Sequence, residues 1–484
     1  MKSKFFRTVI LTILLTISFP RAVNALYAEE LKIHIDTENF KNSNYMYDNN
    51  QSSYSNGENK PSFTISSDEE MSSLYIEFDC IPQKWTLEDV DSGNVIGCGE
   101  NSFLHEFVEL KSNFGYMPNN IKLNFNDNTA ISEVHAFSSG ELPEWVQVWQ
   151  PPCQQADLIL VSTHSDDEQL FFAGVLPYYA IERNLQVQVV YTVQHFEVYN
   201  SKDHKRPHEQ LDGLWKVGIK NYPIISEFPD LYAESKDRET AIRQAKKVYE
   251  NYGINYDDFA EYFTECIRRC KPLVIVTHDL NGEYGHGVHA LTAEAVINAI
   301  ECSNDQEKFS DSFEKYGKWQ VEKTYLHLYE ENPIVMNFDE PLESLNGKTA
   351  FQVTQDGFQC HKSQHWTWFY EWIYGKQGNE ITKSTQIKSY SPCNYGLYQT
   401  IVGDDISGGD FFENVKTYEQ QRIEIEQKKK EKEEKEKRIK EELLAKEKVS
   451  QQRKERIMVI SICAFAICVL SIYFITRKYT NKKH

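Results

Sequence analysis

Positive charge is in short supply: the 484 residues carry 52 lysines and arginines against 72 acids, a formal net charge of −20. A balance that acidic excludes broad nucleic-acid binding, which needs a cationic face. Cysteine is sparse too. The chain has 10, with no repeated CxxC, so a structural zinc ribbon has no support. Cys80 with Cys98, and Cys360 with Cys393, are candidate bridges by location alone. Long apolar runs are missing except at the two ends. What is present is 40% apolar and 13% aromatic residues, which excludes a chain disordered throughout.

The ends read as targeting and anchoring segments. Lys2, Lys4 and Arg7 precede an apolar run from Thr8 to Phe19, and small residues follow at Ala22-Val23-Asn24-Ala25. This pattern predicts a signal peptide over 1–25. Ile457 to Thr476 is a 20-residue run without a charge, long enough for a transmembrane helix at ~1.5 Å per residue. Export of the chain then sets residues 477–484 as a short cytoplasmic tail and the middle of the chain as extracellular. Residues 418–456 lack a heptad register, so a solvated helical stalk laced with i,i+4 ion pairs is favoured over a coiled coil. Such a stalk would reach up to ~58 Å from the bilayer.

Roughly 390 residues remain, enough for two domains. Residues 26–145 alternate in short stretches such as Ser73–Phe78 and Ile121–Phe125, which predicts an all-β sandwich. The segment resembles galactose-binding-like, discoidin-type sandwiches. That implies a carbohydrate-binding module, with a structural spacer as the equal alternative. Glu141 to Pro152 reads as a linker lying on the next domain through Trp145 and Trp149. From 153 to 415, continuous apolar strands (Leu158–Val161, Val187–Val193, Leu273–Val276) alternate with helical spacing at Gln169–Ile181 and Ala290–Ile300. This predicts an α/β domain with a Rossmann-like, mostly parallel sheet and helices on both faces.

Chemistry follows two of those strands. The first ends in Ser162-Thr163-His164-Ser165-Asp166-Asp167-Glu168. Ligand sites in open α/β sheets form at carboxyl ends of strands. Adjacent carboxylates there repel unless a cation is bound. An Asp-rich helix N-cap is the alternative for Asp166 or Asp167. The second strand leads to Thr277-His278-Asp279-Leu280-Asn281-Gly282-Glu283-Tyr284-Gly285-His286-Gly287-Val288-His289. His286 and His289, three apart at a helix start, project on one side. Two such clusters point to one divalent-metal hydrolytic site.

His164–Glu168 together with Gly285-His286-x-x-His289 resembles the PIG-L/LmbE family of zinc-dependent N-acetylglucosaminyl deacetylases, over roughly residues 155–415. The resemblance implies one zinc ion held by His164, Asp167 and His289, although this ligand type also accepts iron or cobalt. It implies Asp166 as general base, His286 as general acid or oxyanion partner, and Tyr284 at the reacting carbonyl. The implied reaction is attack of a zinc-bound water on the N-acetyl group of an N-acetylglucosamine-type amino sugar. Ser165 and Gly287 depart from the family pattern, where proline is usual. Both affect loop rigidity rather than ligand chemistry.

Arg206 and Glu209 match a family Arg-x-x-Glu pattern that implies sugar-pocket contacts, with an i,i+3 ion pair as the equal alternative. His195 and His361 read as structural histidines. Trp366, Trp368, Phe369, Tyr370 and Trp372 form an aromatic band that reads as core or as a surface docked on the first domain. An N-acetylated glycan or glycoside and a membrane are thus the expected partners, with no nucleic acid. The alternatives are an inactive carbohydrate-binding surface protein and a hydrolase of another amide.

Overall fold

The computed structural model describes residues 27–195 and 205–480, so the expected signal peptide and residues 481–484 of the expected tail lie outside the described residues. The chain falls into two units, Met1–Val415 and Lys416–His484.

Alternation builds the first sheet of the larger unit. Its strands are β1 (Ile33–Lys41), β2 (Ser55–Ser67), β3 (Ser73–Phe78), β4 (Trp85–Asp89), β5 (Val95–Cys98), β6 (His105–Glu109), β7 (Asn120–Phe125) and β8 (Thr129–Phe137). On β7, Ile121, Leu123 and Phe125 are buried and the residues between them are partly exposed, which is a period of two with one wet face. On β3 all six residues are buried. Leu74, Ile76 and Phe78 alternate with Ser73, Tyr75 and Glu77, so both faces of this strand are covered.

The expected two-sheet sandwich needs correction. All eight strands share one antiparallel hydrogen-bonded network, in the order β5-β4-β7-β2-β8-β3-β6 with β1 on β2. The cause is β2, whose 13 residues serve two neighbours: Ser55–Gly57 pair with β8 and Ser62–Ser66 pair with β7. A strand that changes partner midway turns a corner without breaking the sheet.

The second sheet holds seven strands. They are β9 (Leu158–Ser162), β10 (Val187–Tyr191), β11 (Ile224–Ile225), β12 (Val274–Thr277), β13 (Lys323–His327), β14 (Pro333–Val335) and β15 (Asn394–Thr400), in the order β11-β10-β9-β12-β13-β15-β14. Pairings from β11 to β13 are parallel. Those of β15 with β13 and β14 are antiparallel. The sheet is therefore mixed, which corrects the Rossmann-like expectation at that edge. Strand β15 returns from a long excursion after β14, and nothing in its own pattern announces its direction.

The helices that frame the second sheet and the site include α1 (Asp167–Leu170), α2 (Lys205–Lys216), α3 (Arg238–Glu250), α4 (Tyr256–Cys270) and α5 (Gly287–Asn304). Ile159, Val161 and Ile275 pack with Ala245, Tyr249, Phe259, Phe263, Leu291 and Ala295, which seats α3, α4 and α5 on one face. The helical stretch expected over 169–181 is broken. Gly174 has φ 97°, and a Cβ there would stand 2.3 Å from the Phe338 ring, so the chain turns where only glycine fits. In the linker, Trp149 packs on Trp215 and Tyr222, while Trp145 packs on Tyr75 and His135. It bridges both sheets rather than lying on one.

The expected disulfides are also corrected: Cys80, Cys98, Cys360 and Cys393 are free thiols, and Cys393 Sγ bonds Ser384 Oγ at 3.0 Å. The second unit consists of one helix, α6 (Tyr418–Thr480). It carries the charged segment and the apolar run without interruption, and is long and apolar enough to cross a membrane.

Candidate metal centre

Strand β9 ends at Ser162, and the chain turns at once into α1. Asp166 stands at the N-cap of that turn, but its side chain caps nothing. The capping alternative therefore fails. Asp167 Oδ2 instead accepts from the backbone N–H of His164 at 2.8 Å and lies 3.0 Å from His164 Nδ1.

The loop after β12 meets it. Gly282 has φ 70°, and a Cβ there would fall 2.2 Å from the carbonyl oxygen of His286. Glycine therefore lets the loop fold back tightly enough to start α5 with His286 at its N-cap and His289 in its first turn. His289 Nε2 lies 3.2 Å from Asp167 Oδ2 and 3.1 Å from His164 Nδ1. Three donor atoms thus converge within 3.2 Å of one another.

Ligand atoms ~2.0–2.1 Å from a tetrahedral ion stand ~3.3 Å apart. The observed triangle fits a divalent ion of that size. His286 adds a second sign. Ligand atoms of His164, His286 and His289 lie within 4.8 Å of one another, and the buried His286 Nδ1 has no hydrogen-bond partner among the described residues.

Charge follows the same logic. Against the cost of burial, His289 and His164 hold the Asp167 carboxyl well below its ordinary range. Burial opposes protonation of His164, but Asp167 and Asp230 push it up to about 10. Burial, then the charges of His289 and His164, hold His286 well below the usual histidine range. The pocket selects for positive charge at the triangle and for a neutral imidazole beside it.

Asp166 is 3% exposed, and Arg206 NH2 lies 3.3 Å from its Oδ1. Burial raises its carboxyl, and the Arg206 guanidinium works against that. Arg206 does not pair with Glu209. It reaches Asp230 at 3.7 Å, and its buried Nε has no partner among the described residues. Glu209 accepts from the backbone N–H of Ser363 at 2.8 Å and from its hydroxyl at 2.5 Å. The ion-pair alternative is thereby corrected: the two residues, both on α2, face different neighbours.

Tyr284 has φ 49° and lies 5.5 Å, ring to ring, from His286 and from His289. The aromatic band does not dock on the first sheet. Phe369 and Trp372 pack on Phe171, and Trp368 packs on Tyr284. Trp366 stands 85% exposed.

Four residues of the site were not anticipated. Glu283, fully buried, has its carboxylate 2.8 Å from His278 Nδ1, 2.7 Å from His289 Nδ1 and 2.7 Å from His327 Nδ1. His278 Nε2 accepts from the Thr163 N–H at 2.9 Å, so its Nδ1–H is the edge that donates to Glu283. Asp230 lies 3.4 Å from His164 Nε2 and 3.7 Å from His195 Nδ1. His278 and Glu283 share the loop with the named residues, so the strand-end rule reaches both; His327 ends β13, whose Lys-Thr-Tyr-Leu-His sequence has no apolar run to mark it. Asp230 lies in a loop with no pattern. His195 is buried beside the site and accepts from the Ser165 N–H at 3.3 Å, and His361 is buried 3.7 Å from Glu168.

Residues 159–300 match the family model described as PIG-L, GlcNAc-PI de-N-acetylase. A 1D-myo-inositol 2-acetamido-2-deoxy-alpha-D-glucopyranoside deacetylase of Mycobacterium leprae is 27% identical over 207 residues, which are 40% of this chain. The aligned region spans 64% of that relative's length. The N,N'-diacetylchitobiose deacetylase from Pyrococcus horikoshii is 14% identical with a TM-score of 0.33, covering 51% of this chain and 85% of that one. The structure titled CpGH89CBM32-6, produced by Clostridium perfringens, is 21% identical with a TM-score of 0.19, covering 22% of this chain and 94% of that one. Both motifs, and the triangle built from them, fall within the matched residues 159–300.

Proposed function

We propose that the chain is a membrane-tethered, metal-dependent hydrolase that removes the N-acetyl group from an N-acetylglucosamine-type amino sugar, in a cell-envelope or extracellular glycan or glycoside. The observation that carries this reading is the convergence of His164 Nδ1, Asp167 Oδ2 and His289 Nε2 within 3.2 Å. Those three would hold the ion, with zinc the expected metal. When bound, such an ion supplies Lewis acidity toward water and toward the amide oxygen.

The remaining steps belong to side chains. Asp166 is a carboxylate outside the triangle, and it takes the proton of the attacking water. Arg206 positions it from the far side. His286, at the mouth of α5, donates its N–H to the oxyanion, and the proton held by Asp166 passes to the departing amine. Tyr284 supplies a hydroxyl donor from the opposite wall. Arg206 Nε is the donor for a sugar hydroxyl, while Glu209 braces the segment at Ser363. The aromatic wall of Phe171, Phe369 and Trp368 excludes water and offers apolar faces to a sugar ring.

Metal analysis of the full chain in detergent, coupled to acetate release from N-acetylglucosamine glycosides and oligomers, tests the proposal. One ion at this site with stoichiometric acetate release supports it. Metal-bound protein inactive on every N-acetylated sugar would redirect it to another amide. Metal-free protein would favour a carbohydrate-binding surface protein.

A further inference from the structure

Away from the site, a second group of imidazole and carboxylate side chains lies where the first sheet meets α2. Glu77 on β3 and His105 on β6 are direct cross-strand partners, and His208 comes from α2. Ligand atoms of the three lie within 4.8 Å of one another. The residues are 4%, 0% and 1% exposed. His105 Nε2 and His208 Nδ1 stand 2.7 Å apart.

The other edge of His105 is already engaged. Its Nδ1 faces Tyr75 OH at 3.0 Å and Gln147 Oε1 at 2.9 Å. Gln147 Nε2 in turn donates to Asp212 Oδ1 at 2.6 Å. Asp212 follows His208 by four residues and shares its face of α2. Two imidazole nitrogens therefore converge beside the buried Glu77 carboxylate and the partly buried Asp212. Glu77 Oε2 is buried and has no hydrogen-bond partner among the described residues.

A proton shared between the imidazoles would satisfy His105 and His208 but leave that Glu77 oxygen unsatisfied. A buried carboxylate oxygen without a donor is costly. A cation would meet both nitrogens and the oxygen once the nitrogens, now 2.7 Å apart, separate to the ~3.3 Å of a tetrahedral pair. Two imidazoles and a carboxylate form a donor set suited to zinc-class ions. An entry path exists: His208 and Asp212 line a cleft of about 780 Å³ together with Gln51, Lys362 and Trp366.

We propose that Glu77, His105 and His208 form a second divalent-metal site, zinc-class by its donors, which ties the first sheet to α2. Asp212 supports it from the cleft side. The site is structural rather than catalytic, and nothing in it depends on the proposed reaction.

Zinc is the probe. Full-length chain in detergent, stripped and re-equilibrated with Zn²⁺, is expected to hold one zinc more than its His105→Ala variant. The isosteric Glu77→Gln variant guards against misfolding and should show the same loss of one. In a His289→Ala background, which removes a proposed ligand of the first site, added Zn²⁺ should still raise the thermal midpoint. Adding Glu77→Gln should abolish that rise. Equal zinc content in wild type, His105→Ala and Glu77→Gln overturns the proposal, as does a His289→Ala midpoint indifferent to zinc. The comparison is a difference of one ion, so it stands whether or not the first site binds metal.

Discussion

His289 Nδ1 lies 2.7 Å from Glu283 Oε2, on the ring edge opposite the Nε2 that meets Asp167 at 3.2 Å. One imidazole thus spans from a buried carboxylate to the proposed metal triangle. The carboxylate fixes the tautomer, so that Nε2 presents its lone pair. Glu283→Gln should therefore weaken zinc binding by ~10–100-fold while leaving the ligands in place. A competition titration with a chromogenic chelator reads this directly. An unchanged affinity would reduce Glu283 to a packing residue.

The two aspartates make a sharper contrast. Asp166 faces Arg206 and Asp167 faces the imidazoles. Asp166→Asn should retain metal and lose ~10²–10⁴-fold in turnover, the usual range for a proton-transfer group. His289→Ala should lose the first-site ion altogether. If Asp166→Asn loses metal instead, the division of labour between the aspartates is reversed.

Much of this site was legible in sequence because it obeys one rule: polar residues placed directly after buried strands gather at one sheet edge. His164, Asp167, His286 and His289 all follow it. Asp230 does not, since it reaches His164 from a loop whose position depends on tertiary packing alone. The same limit explains the fold. Alternation at Ile121–Phe125 and the apolar run at Leu158–Val161 mark strands, but neither records its partner. The antiparallel β15 and the corner in β2 are properties of pairing, and pairing is a long-range event. Arg206 and Glu209 illustrate it on a helix: a spacing of three puts them near one another, yet each finds a stronger neighbour elsewhere.

Gly282 offers a test of the loop itself. Its φ of 70° and the 2.2 Å approach to the His286 carbonyl leave no room for a methyl group. Gly282→Ala should cost about 2 kcal/mol or more and displace the start of α5. The expected signature is a lower thermal midpoint together with weakened zinc binding. A destabilised protein with normal zinc affinity would separate the turn from the metal site.

The long helix α6 carries a run from Ile457 to Thr476 without a charged side chain. Removing residues 457–484 should shift the chain from the membrane pellet to the supernatant and leave acetate release intact. Sedimentation of the truncated chain with membranes would place the anchor elsewhere.

Stability should also depend on pH through Glu106, which is 8% exposed and accepts from Trp85 Nε1 at 2.9 Å. Burial raises its carboxyl from the ordinary 4.5 to about 7, although the bonds from Trp85 and from the Phe103 backbone oppose the rise. Between those values the folded chain keeps a proton that the unfolded chain has released. The folded state binds more protons, so stability falls as pH rises. The contribution is fully present below pH 4.5 and lost by the time pH passes about 7. At 1.36 kcal/mol per unit, the window is worth about 3 kcal/mol. Glu106→Gln keeps an oxygen for Trp85 and removes the titration. Its thermal midpoint should therefore drop less than that of the wild type between pH 5 and pH 8. Parallel midpoints for the two proteins across that range would mean that Glu106 is ionised in the fold, with a compensating charge close by.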